Sequence, residues 1–231
     1  MKLPAKLLSK AEAEYSKPAE EVARLQRLIG EQPADVLDGR EKFDARKAMI
    51  AASAVQDVAD AFERYIGTND LLPINYLESG HLQAQAVGRI RYRDKREARM
   101  VSATGFLVSP ELVMTNHHVF PVANAAAFAT AIDEPTIEFG YEFDLDGKLS
   151  QPIVYELDPQ AFFHSFEELD IALVAVKSVD TKERRKIGEQ GYLVLNGKIG
   201  KAGTGDWATI IQHPEGRDKQ ISLRNNEIID L

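Results

Sequence analysis

The sequence predicts a mainly β protein preceded by a helical N-terminal region, and three observations carry that expectation. Beyond Gly80 the chain turns to short runs rich in Val, Ile, Phe and Tyr separated by turn residues, the texture of an antiparallel sheet closed as a barrel or packed as a sandwich. Before Gly80 the apolar positions recur with a helical period instead. Gly147, within Asp144–Lys148, and Gly216, within His213–Arg217, stand where hairpin turns belong, since glycine alone tolerates positive φ freely.

In the first region, Ser16 and Pro18 mark a helix start, Val22, Leu25, Leu28 and Ile29 share one face, and Gly30 marks the stop. A longer period runs from about Glu41 to Ile66 through Phe43, Ile50, Val55, Val58 and Phe62, and ends at Gly67. Residues 69–80 hold Pro73 and Gly80 with no sustained period, so they read as an extended connection and place a boundary at residue 80. Strands are expected near 84–93, 99–108, 111–115, 136–143, 152–157, 171–176, 191–195, 207–212 and 219–223. The charged run Glu183–Lys186 reads as a solvated linker that divides the β region into 81–186 and 187–231.

A hydrophobic content of 44% over 231 residues is ample for a buried core. With 28 basic against 36 acidic side chains, the net charge of -8 argues against a nucleic-acid or anionic-membrane surface, so protein or peptide partners are expected. The N-terminus never assembles the apolar run of a secretory signal, and no segment approaches the ~20 apolar residues of a membrane span, which makes a cytoplasmic location the expectation. Zero cysteines exclude a disulfide framework, a thiol nucleophile and thiolate metal ligands.

The chemistry concentrates in two places. His117 and His118 follow the apolar strand Leu112–Thr115, where a rigid sheet gives way to a loop and imidazole can accept a proton near neutral pH. Adjacent residues point in different directions, so the two rings are not expected to share a role or chelate one ion. Asp170 is wedged between Leu169 and the apolar run Ile171–Val176, where a carboxylate needs good donors and an imidazole N–H is a suitable one. Taken singly, the histidines also read as packed side chains with satisfied hydrogen bonds, and Asp170 as a turn acid at a strand start. Their order and separation are what favour a base with its orienter.

Thr104-Gly-Phe-Leu-Val108 followed by Val113-Met-Thr-Asn-His-His-Val119 resembles the histidine motif of the bacterial trypsin-like serine peptidases, which include glutamyl endopeptidases and high-temperature-requirement proteases. Leu169-Asp-Ile-Ala-Leu173 resembles their aspartate motif, and Trp207–Gly216 is similar to the strand and Pro-x-Gly turn that open their second barrel. The resemblance covers about residue 81 to the end. It implies a chymotrypsin-like double β-barrel, the first barrel complete and the second incomplete, with His118 as general base, Asp170 as its orienter, and neither cofactor nor metal.

The departure is the nucleophile. No Gly-x-Ser-Gly segment follows Asp170; Ser178 continues the same strand, and Ser222 sits mid-strand without the glycines that build an oxyanion hole. The chain is therefore expected to be a piece of a longer serine endopeptidase, inactive alone, or else a non-catalytic interaction or regulatory module that retains the fold. Other sites fare worse. Glu142, Asp144 and Asp146 match the start of a calcium loop, but Ile153 stands where its final Glu belongs; His117, His118 and Asp170 lack zinc-ligand spacing. The basic stretch Arg89–Arg99 is interrupted by acids and reads as an exposed hairpin.

Overall fold

The computed structural model describes residues 73–197 continuously, together with 19–29, 202–223, 226–229 and scattered positions between 32 and 48. Contacts divide the chain into two compact units. One contains Asn75–Leu195 and Ile211–Ile221; the other contains, among its described residues, Ala19–Leu28, 202–210 and 226–229. In the second unit helix α1 (Ala19–Leu28) forms where the Pro18 start and Gly30 stop predict it. The longer helix expected from Glu41 to Ile66 falls mostly outside the described residues.

The first unit opens with α2 (Asn75–Gln85), where an extended connection was expected. The helix buries none of its residues, and Leu77 and Leu82 are exposed. An apolar period reports a buried face, so a helix without one leaves no such trace in sequence.

Seven strands follow in one antiparallel sheet: β1 (Val87–Asp94), β2 (Arg99–Ser109), β3 (Leu112–Thr115), β4 (Ile132–Phe139), β5 (Ile153–Glu156), β6 (Phe163–Phe166) and β7 (Ile171–Ala175), in the order β5-β4-β1-β2-β3-β7-β6. Past the ends of β5 and β7 the two chains meet. Leu157 bridges Val176, the Lys177 N–H donates to Glu156 O, and the Asp158 N–H donates to Ala175 O. These bonds join the β5 edge to the chain at the end of β7 and close the sheet into a barrel.

The mainly β expectation holds, with adjustments. The expected strand at 191–195 is an extended segment whose Leu193 N–H donates to Leu107 O. Two elements besides α2 lie outside the expected set. Helix α3 (Ala125–Ala131) is capped by Asn124, whose side chain accepts from the Ala127 N–H, and buries Phe128; β6 is the short strand Phe-His-Ser-Phe. At the C-terminal side β8 (Ile210–Gln212) and β9 (Gln220–Ser222) pair across the turn Pro214–Gly216.

Alternation along the strands fills the barrel. Ile90, Leu107, Val113, Ile137, Phe139, Tyr155 and Val174 are fully enclosed, and Phe120, Phe128 and Phe163 pack as tilted or edge-on rings. Gly105 pairs with Gly88, and a Cβ on Gly105 would fall 2.6 Å from Ile90 Cδ1 and 3.1 Å from Val113 Cγ1, so the space beside the motif glycine is filled by core side chains.

The basic stretch forms the hairpin the sequence suggested, exposed from Lys95 to Arg99, but its first arginine departs from that reading. Arg89 is buried: its Nε and Nη2 donate to Glu138, its Nη1 donates to Gly216 O at 2.6 Å, and the guanidinium lies 3.5 Å over the Tyr141 ring. Each of the three guanidinium nitrogens donates to an acceptor, as burial of a charge demands. Arg89 thereby pins the Pro214–Gly216 turn to the barrel, beside His213, which is enclosed and donates from Nδ1 to Arg217 O at 3.0 Å.

Burial holds the His213 imidazole down to about 4, aided by Lys219 and Arg89 and opposed by the Arg217 carbonyl and Glu142. The unfolded chain, with an ordinary value of 6.5, binds more protons between about 4 and 6.5, so stability is full above that window and falls through it with acidification. The expected loss is about 3 kcal/mol for this group. Denaturant unfolding from pH 7 to 4, paired with NMR titration of His213, checks it: an imidazole that titrates near 6.5 in the folded chain contradicts the buried neutral ring.

Candidate active site

The register of β3 on β7 builds the site. Leu112 pairs with Ala175 and Thr115 with Ala172, so the end of β3 and the start of β7 lie side by side. Immediately beyond β3 the chain turns into the 3-10 segment His117–Val119, and immediately before β7 it leaves the 3-10 segment Glu167–Leu169 through Asp170. Two residues 52 apart in sequence therefore meet at one end of the barrel.

The contact is specific. Asp170 accepts from the His118 backbone N–H through Oδ1 at 3.0 Å and from the His118 ring through Oδ2, which lies 2.8 Å from Nδ1. With Nδ1 facing a carboxylate, that nitrogen carries the proton and Nε2 presents its lone pair. The His118 side chain is 72% exposed against 23% for Asp170, so the ring faces outward from a sheltered anchor.

Asn116 completes the shell around the acid. Its Nδ2 donates to Asp170 Oδ2 at 3.0 Å and to the Asp170 carbonyl at 3.3 Å. Desolvation pushes the Asp170 carboxyl up, but the His118 backbone and ring donors, the His118 charge and Asn116 together outweigh it and hold the group below its ordinary value. Asp170 itself adopts a left-handed conformation, φ 47° and ψ 44°, unusual for a residue with a side chain and maintained by these bonds.

The turn bearing His118 is also tied to the core. Tyr92, buried within the barrel, donates its hydroxyl to Val119 O at 2.6 Å, and burial followed by the nearby Asp94 charge pushes the phenol up to about 12. Thr115 Oγ1 donates to Thr104 O, and Thr104 Oγ1 in turn accepts from the His213 N–H.

The two histidines do diverge: His117 turns to Ser165 on β6, 2.6 Å from Nδ1 to Oγ. The two downstream serines have other surroundings. Ser178 lies beyond the opposite end of β7 from Asp170, about 25 Å away along an extended chain, and Ser222 Oγ accepts from Asn226 Nδ2. His164 packs edge-on against Phe166. At the Asp144–Lys148 turn, Asp144 accepts from the Asp146 and Lys148 N–H groups, and among the described residues no cluster of three or more ligands suits a metal ion. Asn116, Ser165 and Tyr92 had no assigned role in sequence. Asn116 lay inside the quoted motif, while the other two become visible only once strands are placed.

A model of the trypsin-like peptidase domain matches residues 103–231. The chain belongs to this family. The matched span covers the His118 and Asp170 segments. An uncharacterised protein, y4fB of Sinorhizobium fredii (strain NBRC 101917 / NGR234), is 36% identical over 218 residues, covering 94% of the chain and 32% of that protein, so the chain spans about a third of its length. Solved structures similar to the chain include the active form of the Rv3671c protease of M. tuberculosis, at 20% identity and a TM-score of 0.41 over 67% of this chain and 56% of that one. Deg5 is similar at 15% identity and a TM-score of 0.42, over 65% of this chain and 62% of the other.

Removing the Asn116 donor isolates its effect on the acid. In Asn116→Ala the Asp170 carboxyl titrates higher than in the parent, as followed by ¹³C NMR of the carboxylate. An unchanged Asp170 titration would show that Asn116 contributes nothing to it.

Proposed function

We propose that this trypsin-like peptidase chain supplies the general base and orienter of a serine endopeptidase, with His118 and Asp170 in those roles. The observation that carries the reading is the Asp170-held His118 ring with its Nε2 turned outward to solvent. A protein or peptide substrate would bind over that exposed edge. As the nucleophilic hydroxyl attacks the carbonyl carbon, Nε2 takes its proton; on collapse of the tetrahedral intermediate the imidazolium returns that proton to the leaving amine. Asp170 stays ionised throughout, fixing the tautomer and stabilising the imidazolium. Its depressed titration suits that role, because a carboxylate that remains charged is what the imidazolium requires.

The nucleophile, the oxyanion donors and the specificity pocket belong, on this reading, to sequence outside these 231 residues, since Ser178 and Ser222 are both misplaced or engaged. That same absence favours the second reading, a non-catalytic interaction or regulatory module with the peptidase fold. A serine-directed fluorophosphonate separates the two. It is expected to label a longer native protein containing this chain, to require His118, and not to label residues 1–231 alone. Asp170→Asn in the longer protein is expected to lower turnover about 10⁴-fold with the fold retained. A longer protein that resists labelling supports the module, and strong labelling of the 231-residue chain contradicts the missing nucleophile.

A further inference from the structure

One polar contact at the site involves the neighbour of the base and never touches Asp170. His117 Nδ1 and Ser165 Oγ lie 2.6 Å apart, both side chains half-buried. The sheet register brings the two segments together. Thr115 pairs with Ala172 and Ala172 pairs with Ser165, so the three positions form one line across β3, β7 and β6. In-register residues on adjacent strands present their side chains to the same face. The middle position carries only a methyl group, so no bulky side chain stands between the outer two.

That line lies at the base of both arms of the site. His117 begins the turn that carries His118, and Ser165 is followed, through Phe166 and the Glu167–Leu169 turn, by Asp170. The pair His118–Asp170 is largely open to water on the histidine side, and an exposed ion pair contributes little to fixing its own geometry. Asp170 must also be kept in its left-handed conformation. A more sheltered contact between the same two arms would add to the β3–β7 register and the Asn116 bonds in holding their separation. His117–Ser165 is well placed to do so, because it joins the same two arms one residue before the base and five before the acid. A hydroxyl both donates and accepts, so the contact persists whichever imidazole nitrogen of His117 is protonated.

We propose that His117 and Ser165 are positioning residues, a brace between the histidine turn and β6 that holds His118 in hydrogen-bonding register with Asp170. The inference rests on the assignment of His118 and Asp170 as base and orienter. It gives His117, the first histidine of the His-His pair, a defined task in which it never exchanges a proton with substrate.

The test reads the base directly, by NMR on the ¹⁵N-labelled 231-residue chain, following exchange of the His118 Nδ1 proton with water and titration of the Asp170 carboxyl. Ser165→Ala and His117→Phe, which remove one polar partner each, are expected to speed that exchange about tenfold and to move the Asp170 titration upward. Ser165→Thr and His117→Asn keep a polar atom at the contact and are expected to stay within about twofold of the parent. Parent-like exchange in folded Ser165→Ala and His117→Phe overturns the brace. So does loss of the fold in both, since the contact would then serve folding and not the site. The readout needs no turnover, so the two failures separate: absent fluorophosphonate labelling leaves the exchange result intact, and unchanged exchange leaves labelling intact.

Discussion

The pairing of β3 with β7 is the constraint on which the site depends. Four residue pairs, from Leu112–Ala175 to Thr115–Ala172, determine which residues emerge together at the end of the barrel. A slip of β3 by one residue against β7 would turn the buried Val113 outward and would carry His118 about 3.3 Å along the strand direction, out of reach of the Asp170 carboxylate. The register is thus protected by the hydrophobic core, and the His118–Asp170 contact inherits that protection although its own exposed half contributes little.

Around that pairing, polar groups connect the core to the surface through few intermediates. Thr104 lies between Thr115 on one side and the His213 backbone on the other, and Tyr92 reaches from the barrel interior to the carbonyl of Val119. Arg89 and Glu138, themselves buried partners across β1 and β4, hold the Pro214–Gly216 turn through Gly216 O. A Cβ at Gly216 would fall 2.5 Å from Ser102 Cβ, and its φ of +72° favours glycine independently. The returning segment and the histidine turn therefore rest on the same two strands, β1 and β2 with their neighbours, and share one foundation.

How much of this was legible in the sequence depends on whether a residue announces itself locally. The strands alternate apolar and polar because one face fills the barrel, so β1, β2, β3 and β7 could be placed within a few residues. His118 and Asp170 carried motif-level signals that family resemblance could use. Helix α2 gave no signal because it buries nothing, and Arg89 gave a misleading one, since a run of arginines on an alternating strand reads as solvated until another segment is known to cover it. Ser165 illustrates the general difficulty: its meaning comes wholly from lying across Ala172 from Thr115, a relation that no local pattern encodes.

The role of His118 turns on which of its ring nitrogens carries the proton. Long-range ¹H–¹⁵N NMR of the imidazole, on the chain at a pH where the ring is neutral, reads this directly. The geometry predicts the Nδ1–H tautomer, with Nδ1 bonded to Asp170 and Nε2 bare and able to accept a proton. A ring protonated at Nε2, or one that exchanges freely between tautomers, would contradict the assignment of His118 as a base oriented by Asp170.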